Sequence, residues 1–489
     1  MSTLLLLIPL AVPVMAAAMY AAAGWRRPSA PVAVVSAVLC LAAAVLLARL
    51  VVDDGPVMVA GLLRVDALSA FMLIVIASVA TIVALATPAH LATELAAGRI
   101  DRRDARRHAV LVQAFLAAMT LAVLAADLGV VWVAVEATTI VTAFLVGQRR
   151  TRAAVEAAWK YVVICSTGIA LALLGLVVLN QASAHSGTGA GLDWAALAAG
   201  ASALDPDVTR LAVLLIVLGF GAKAGLAPLH AWLPDAHSQA PAPVSALMSG
   251  VLLSVSFYAI LRVKVIADGA LGPTFVRVLL LAAALATLLV SASLLIAQRD
   301  YKRMLAYSSI EHSGLLALGA AIGGPLASAA VLLHVLGHGL VKSVLFVGAG
   351  RILQLTGTSR IDEVGGLAVR RPVLAGCVGL GVLALVGLPP FSLFASEFGI
   401  ARAGFEASLG WPTALALVLV VVIAAALVGH TGRMLLGAAP EQPLVPCPPA
   451  RSTTVAMVGG LAACATVGVV AGPLTTLIDA AAAILTGAS

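Results

Sequence analysis

Residues Ala222–Leu252 read AKAGLAPLHAWLPDAHSQAPAPVSALMSGVL. An apolar run from residue 208 leads into this stretch and another leaves it from residue 244, each about as long as a bilayer crossing requires. Between them Pro228 and Pro234 interrupt the helix just past Lys223. Proline withholds a backbone donor and clashes with the preceding turn, so the groups it frees must find partners in protein or water. A lysine one turn before such a break belongs in a protein-lined or wet setting, not against lipid. The pattern recurs at Gly387–Pro390 (GLPP), where Pro389 and Pro390 make the break and Glu397 follows it.

Composition agrees with a bilayer as solvent. The chain has 489 residues, 62% hydrophobic and 10% charged, against about 45–50% and 25% for soluble domains. Spans are expected at 3–23, 32–52, 67–87, 109–126, 128–147, 158–180, 208–227, 244–266, 275–297, 304–322, 325–350, 372–401, 412–436 and 452–472. A short apolar tail follows, from 473 to 487. DDGPVMVAGLLRVD, between the second and third spans, reads as a hairpin or loop. The first apolar run carries its charge after it, in Gly24-Trp25-Arg26-Arg27, so a retained helix is expected there and not a signal peptide.

The expected fold class is an all-α integral membrane protein of about fourteen transmembrane helices. Helices four to eight (residues 109–266) and nine to thirteen (275–436) form two five-helix sets. Five is odd, so the second set enters the membrane inverted, and each set has a broken fourth helix. Paired broken helices in inverted halves point to a transport site. The expected organisation is residues 1–108 as three helices and a basic loop, the two repeats, and 437–489 as a final helix and tail.

The net charge of +7 is explained by orientation and calls for no nucleic-acid partner. Alternate loops hold Arg26, Arg27, Arg99, Arg102, Arg103, Arg106, Arg107, Arg149, Arg150, Arg152, Arg299, Lys302, Arg303, Arg351, Arg360, Arg370, Arg371, Arg433 and Arg451. The other side holds only Arg49, Arg64, Arg210, Arg262, Lys264, Arg277 and Arg402. Basic loops stay cytoplasmic, so both termini are expected outside a cell membrane. The run Arg99–His108 reads as a cytoplasmic anchor or a docking point for a soluble partner. Cys40, Cys165, Cys377, Cys447 and Cys464 form no CxxC pair, so this chain is expected to hold no cluster, redox dithiol or other cofactor.

An ionisable group at the bilayer centre costs at least about 2.5–3.5 kcal/mol. The spans nevertheless hold Glu136, Lys223, Glu311, His312, His334, His338, Lys342 and Glu397. His334, His338 and Lys342 follow one another at four-residue spacing on one helical face, a ladder about 12 Å long. Histidine titrates near neutral pH and a desolvated lysine can release its proton, so the ladder can pass protons. A lone buried histidine would more often satisfy backbone groups. Three titratable groups in register, with carboxylates on nearby helices, favour a relay. Zinc binding by His334 and His338 is not favoured, because the sequence between them lacks the glutamate of HExxH. Lys160 with Glu156 reads as a surface pair. His230, Asp235 and His237 either guard an entrance or satisfy freed backbone. Asp127 is expected in solvent.

These motifs resemble the antiporter-like proton-pumping subunits of respiratory complex I, multisubunit cation/proton antiporters and membrane-bound hydrogenases. The likeness covers roughly residues 60–435. DLGVVWVAVEATTIVTAFLVG, EAAWKYVVICSTGIALALLG and YKRMLAYSSIEHSGLLALG, with Ser309-Ile310-Glu311-His312, are similar to the formate-hydrogenlyase-type branch. The resemblance implies a Glu136–Lys223 charge pair, a central relay through Lys342 and a terminal group at Glu397. Some relatives carry a lysine where this chain has Ser254, which leaves the link between the halves to His312, the histidine ladder or water. The long lateral helix of the largest members is missing. The function implied is proton translocation by a non-redox subunit of a hydrogenase or NADH:quinone oxidoreductase type of complex, with membrane and soluble subunits as partners. A stand-alone or multisubunit cation/proton secondary antiporter is the alternative, and a passive membrane anchor a third reading.

Overall fold

The computed structural model describes residues 2–26, 29–187, 189–439, 443–447, 450–470 and 472–487. Arg27, counted above among the basic loop residues, lies outside them. The elements in chain order are α1 (Ser2–Ala23), α2 (Pro31–Asp54), β1 (Val57–Val59), β2 (Leu63–Val65), α3 (Ala67–Ala96), α4 (Arg102–Leu124), α5 (Leu128–Val146) and α6 (Arg152–His185). Then come α7 (Trp194–Ala199), α8 (Pro206–Ala224), α9 (Trp232–Gln239), α10 (Ala242–Leu247) and α11 (Leu253–Leu271), the last two joined by one π-helical turn at Met248–Leu252. The remainder is α12 (Pro273–Leu295), α13 (Tyr301–Ile322), α14 (Gly324–Thr356), α15 (Leu367–Arg370), α16 (Pro372–Leu385), α17 (Ser392–Glu406), α18 (Gly410–Leu436), α19 (Arg451–Val469) and α20 (Gly472–Leu485).

The protein is an all-α multi-pass membrane protein. Eleven helices among the described residues are long and apolar enough to cross a bilayer. The expected spans outside that set are now seen as α8, α13 and the α16–α17 pair. The stretch between α2 and α3 is an antiparallel hairpin pairing Val57 with Val65 and Val59 with Leu63. Its turn uses left-handed Ala60 and Gly61 (φ 53° and 67°).

Burial separates the helices by role. The span at Ala242–Leu271 and α14 lie at the centre, while α1 and α18 leave most of their apolar surface outward. Val418 and Val421, at 60% and 67% exposure, are outward-facing side chains of that kind. Helix packing in lipid depends on close van der Waals approach, which small residues permit. At the α6–α8 crossing a Cβ on Gly219 would stand 2.5 Å from both the Ala172 nitrogen and the Gly168 oxygen. Gly339 meets Gly250 in the same way, drawing α14 against the π-helical turn.

The first break holds Pro228 and the second holds Pro389 and Pro390, whereas Pro234 lies inside α9. The first runs through residues 225–231, beginning at Gly225 in the left-handed region (φ 81°). Its freed backbone is satisfied by side chains: the Ala227 N–H donates to Thr287 Oγ1 (2.9 Å) and Trp232 Nε1 donates to the Ala222 carbonyl (2.9 Å). The second lies between α16 and α17, with Gly387 at φ 67°. α19 covers it closely, since a Cβ on Gly468 would sit 2.2 Å from the Pro390 oxygen.

Several basic residues fall elsewhere than a loop count assumes. α4 begins at Arg102, with a capping box between Asp101 and Asp104, so the arginines from 102 to 107 are helical. Arg262 is only 2% exposed; its guanidinium grips the Asp66 carboxylate at both ends (2.6 and 2.7 Å) and lies 3.8 Å above the Trp194 ring. Lys302 is also buried, donating to the Ser238 and Ala240 carbonyls (2.7 Å each) at the end of α9. A cation suits that helix C-terminus.

Candidate functional site

The charges expected within the spans gather in two clusters, with Glu136 and Glu397 half-buried and the other six buried. In the first, α5 presents Glu136 and Thr139 toward Lys223 at the end of α8. Lys223 is fully buried, and its ammonium donates to the Val135 carbonyl (3.0 Å) and to Thr139 Oγ1, with the Tyr161 ring 5.7 Å away. Thr139 in turn donates to Glu136 Oε2 (2.9 Å), and Ser166 reaches Oε1 (3.3 Å). Glu136 and Lys223 make no direct ion pair; the Thr139 hydroxyl stands between them, accepting from one and donating to the other.

The second cluster lies among α13, α14 and α17. Lys342 is fully buried and donates to the Leu305 carbonyl (2.7 Å) and to Ser308 Oγ. The His312 ring sits beside both His334 and His338, with centroids 5.0 and 4.9 Å away. The ladder therefore does not run along α14 alone, because His312 of α13 is wedged against two of its rungs. His312 Nδ1 and His334 Nε2 are 2.9 Å apart, and His334 Nδ1 is 3.0 Å from Ser396 Oγ. Ser396 donates its own proton to the Leu393 carbonyl (2.9 Å).

One set of tautomers meets every bond in this string. A hydroxyl has one proton to give; with that proton on Leu393, Ser396 accepts from His334 Nδ1–H, and His334 Nε2 accepts from His312 Nδ1–H. With neutral rings, His312 Nε2 is then a lone pair too, and it is buried with no hydrogen-bond partner. Both nitrogens of His338 and Glu311 Oε2 share that condition. Glu397 completes the cluster, since ligand atoms of His312, His334 and Glu397 all lie within 4.8 Å of one another. A Cβ on Gly387 would stand 2.3 Å from Glu397 Oε2, so the carboxylate rests directly on the second break.

The weaker candidates sort differently. Asp235 accepts from Lys160 (3.0 Å) and Arg303, so it closes an ion-pair network instead of satisfying backbone. Lys160 keeps its Glu156 pair as well (2.8 Å). His237 points inward, stacked between Trp232 and Phe346, with neither nitrogen partnered. Asp127 does not float in solvent: it caps α5, accepting from the Gly129 and Val130 N–H groups (2.7 and 3.2 Å).

Sequence reading missed Thr139, Ser308, Ser396, Asp66 and Lys302. It also missed a cavity of about 350 Å³ lined by His90, Glu94, His108, Arg149 and Gln354. There Glu94 is held by Arg99 (2.8 and 3.0 Å) and by Gln354 (2.8 Å). Hydroxyls are too common in membrane helices to stand out. Glu94 and Lys302 fall outside the expected spans, so neither was counted as buried; α3 and α13 extend to include them.

Residues 125–426 match the family described as NADH:quinone oxidoreductase/Mrp antiporter, transmembrane region. Among curated proteins, the Hydrogenase-4 component F homolog of Methylacidiphilum infernorum is 39% identical over 345 residues, covering 70% of this chain and 72% of that one. Hydrogenase-4 component B of Escherichia coli is 33% identical over 384 residues, 76% of this chain but 54% of that one. The chain thus spans about half the length of the E. coli relative. Among solved structures, a chain of the membrane-bound sulfane sulfur reductase, an archaeal respiratory membrane complex, superposes with a TM-score of 0.86 at 25% identity over 99% of this chain and 97% of that chain. With the match running through both broken helices and both charge clusters, this chain belongs to the NADH:quinone oxidoreductase/Mrp antiporter transmembrane family.

Proposed function

We propose that this chain is the proton-translocating membrane subunit of a hydrogenase-like or complex I-like oxidoreductase. The observation that carries the reading is the directed string His312–His334–Ser396 beside Glu397. A proton arriving at the free Nε2 of His312 makes an imidazolium, which releases its Nδ1 proton to His334 Nε2 along the existing 2.9 Å bond. His334 is then cationic within reach of the Glu397 carboxylate, next to the break. His338 and Lys342 supply the other end. The buried unpartnered atoms of His237, Ser254 and Glu311 are places where water would join the Lys223 cluster to this string.

Coupling would be electrostatic. Charge moved by redox chemistry on partner subunits changes the balance across the Thr139 bridge. At an effective dielectric of about 20, unit charges about 4 Å apart interact by about 4 kcal/mol, enough to move a proton between groups of this kind. The relatives named for hydrogenase components favour this reading over a stand-alone antiporter. It includes fourteen spans in two inverted five-helix repeats (residues 109–266 and 275–436) and termini on the face opposite the basic loops. The test is proton uptake by vesicles carrying the whole assembly, with redox turnover followed in parallel. His312→Ala should lower proton uptake at least about a hundredfold at normal protein level, the scale expected for one lost proton-transfer group. Uptake at the wild-type rate would overturn the relay.

A further inference from the structure

The histidine cluster has the chemistry of a metal site as well as of a relay. Two imidazoles and one carboxylate with an open fourth position make up a common zinc donor set. The sequence offered His334 with His338, a pair without a carboxylate. The fold instead assembles His312, His334 and Glu397 from three different helices, with ligand atoms mutually within 4.8 Å.

We propose that His312, His334 and Glu397 bind a divalent transition ion of the Zn2+ class, and that the bound ion shuts the relay. His334 offers Nε2 as a lone pair, oriented by its Nδ1–H bond to Ser396 and by the Ser396 bond to Leu393 (3.0 and 2.9 Å). Support behind a ligating histidine of this kind fixes the ring and raises its basicity. His312 becomes a ligand by moving its proton from Nδ1 to the unpartnered Nε2. Tetrahedral zinc with Zn–N near 2.0–2.1 Å separates two ligand nitrogens by about 3.3 Å, so the rings, now 2.9 Å apart, need to part only slightly. Glu397 supplies the oxygen. Its carboxylate rests on Gly387, at the second break. His338 stays outside the ligand set. Alkali ions fit poorly, because imidazole selects zinc, copper and nickel.

Binding stands on this geometry alone; inhibition rests also on the relay reading. The purified full chain in lipid nanodiscs is loaded with ZnCl2, passed through gel filtration and assayed for metal, with Co2+ absorption as a spectroscopic probe. Wild type should retain one zinc per chain and give tetrahedral Co2+ bands. His334→Gln and Glu397→Gln, which keep bulk and polarity, should each bind at least tenfold more weakly. Ser396→Ala should weaken binding about tenfold to a hundredfold, and His338→Ala should leave it unchanged. Wild type that retains no zinc, or equal retention by His334→Gln and Glu397→Gln, overturns the site. Zinc bound as described while vesicle proton uptake continues at the wild-type rate overturns the inhibition and the relay, but leaves the site standing.

Discussion

Thr139 has one hydroxyl proton and two charged neighbours. It gives the proton to Glu136 and takes a bond from Lys223, so the two charges communicate through it. Thr139→Val keeps the shape and removes the bridge. Hydrogen bonds to charged groups contribute about 1.5–3 kcal/mol, so proton uptake by vesicles should drop about tenfold to a hundredfold, with folding intact. Thr139→Ser should restore it. Normal uptake in Thr139→Val would mean that Lys223 and Glu136 act separately. At this scale the sequence revealed the charged partners and hid the neutral ones. Glu136 and Lys223 stand out because a charge in an apolar run is expensive. Thr139 and Ser396 carry no such cost, and their roles depend on which helix lies opposite, which only the fold decides.

Helices meet where side chains allow it, and two junctions here make separate demands. At the first, α3 begins on Asp66, whose carboxylate caps Ser69 and also holds Arg262 of α11. Both charges are buried, so removing one strands the other at a cost of about 3–5 kcal/mol. Asp66→Ala should therefore lower the melting temperature and the amount of protein in the membrane. Asp66→Leu with Arg262→Met should recover most of that loss, as buried pairs often tolerate apolar replacement. A double variant as unstable as the single would point to a further role for the pair. At the second junction, Gly219→Val puts a branched side chain into the backbone of α6. Overpacking of this kind costs about 1–3 kcal/mol, and lost thermal stability in detergent would register it. The breaks were legible because proline has a local mechanism. Arg262 was misread as an external charge because it sits near an expected span end, and no local pattern reveals a partner 196 residues away. The longest helices also overran their expected ends, α6 reaching Arg152–His185, since hydropathy marks the apolar centre and not the capped ends.

On the scale of the whole molecule, the inverted-repeat reading places one charge cluster in each half, with Glu136 and Lys223 in residues 109–266 and Lys342, His312, His334 and Glu397 in residues 275–436. On the proposed fourteen-span reading both termini would lie on the face opposite the basic loops, so a reporter that fluoresces only in the cytoplasm, fused at the C-terminus, should stay dark. Bright cells with intact protein would reverse the orientation. The same two-part layout makes a sharper demand on transport. If protons pass through both clusters in series, a block at either one stops the same flux. Lys223→Ala removes the cation on one side of the Thr139 bridge, and His312→Ala removes the only ring in contact with both His334 and His338 among the described residues. Each should cut proton uptake steeply. Among the described residues the clusters share no hydrogen-bond partner, so independent parallel routes would give a double variant whose loss is roughly the sum of the two. A series path predicts instead that Lys223→Ala with His312→Ala transports no worse than the weaker single variant, because groups acting as a unit are strongly non-additive. Vesicle uptake measured for all four proteins at equal membrane content decides between them, and additive losses would separate the two halves into independent channels.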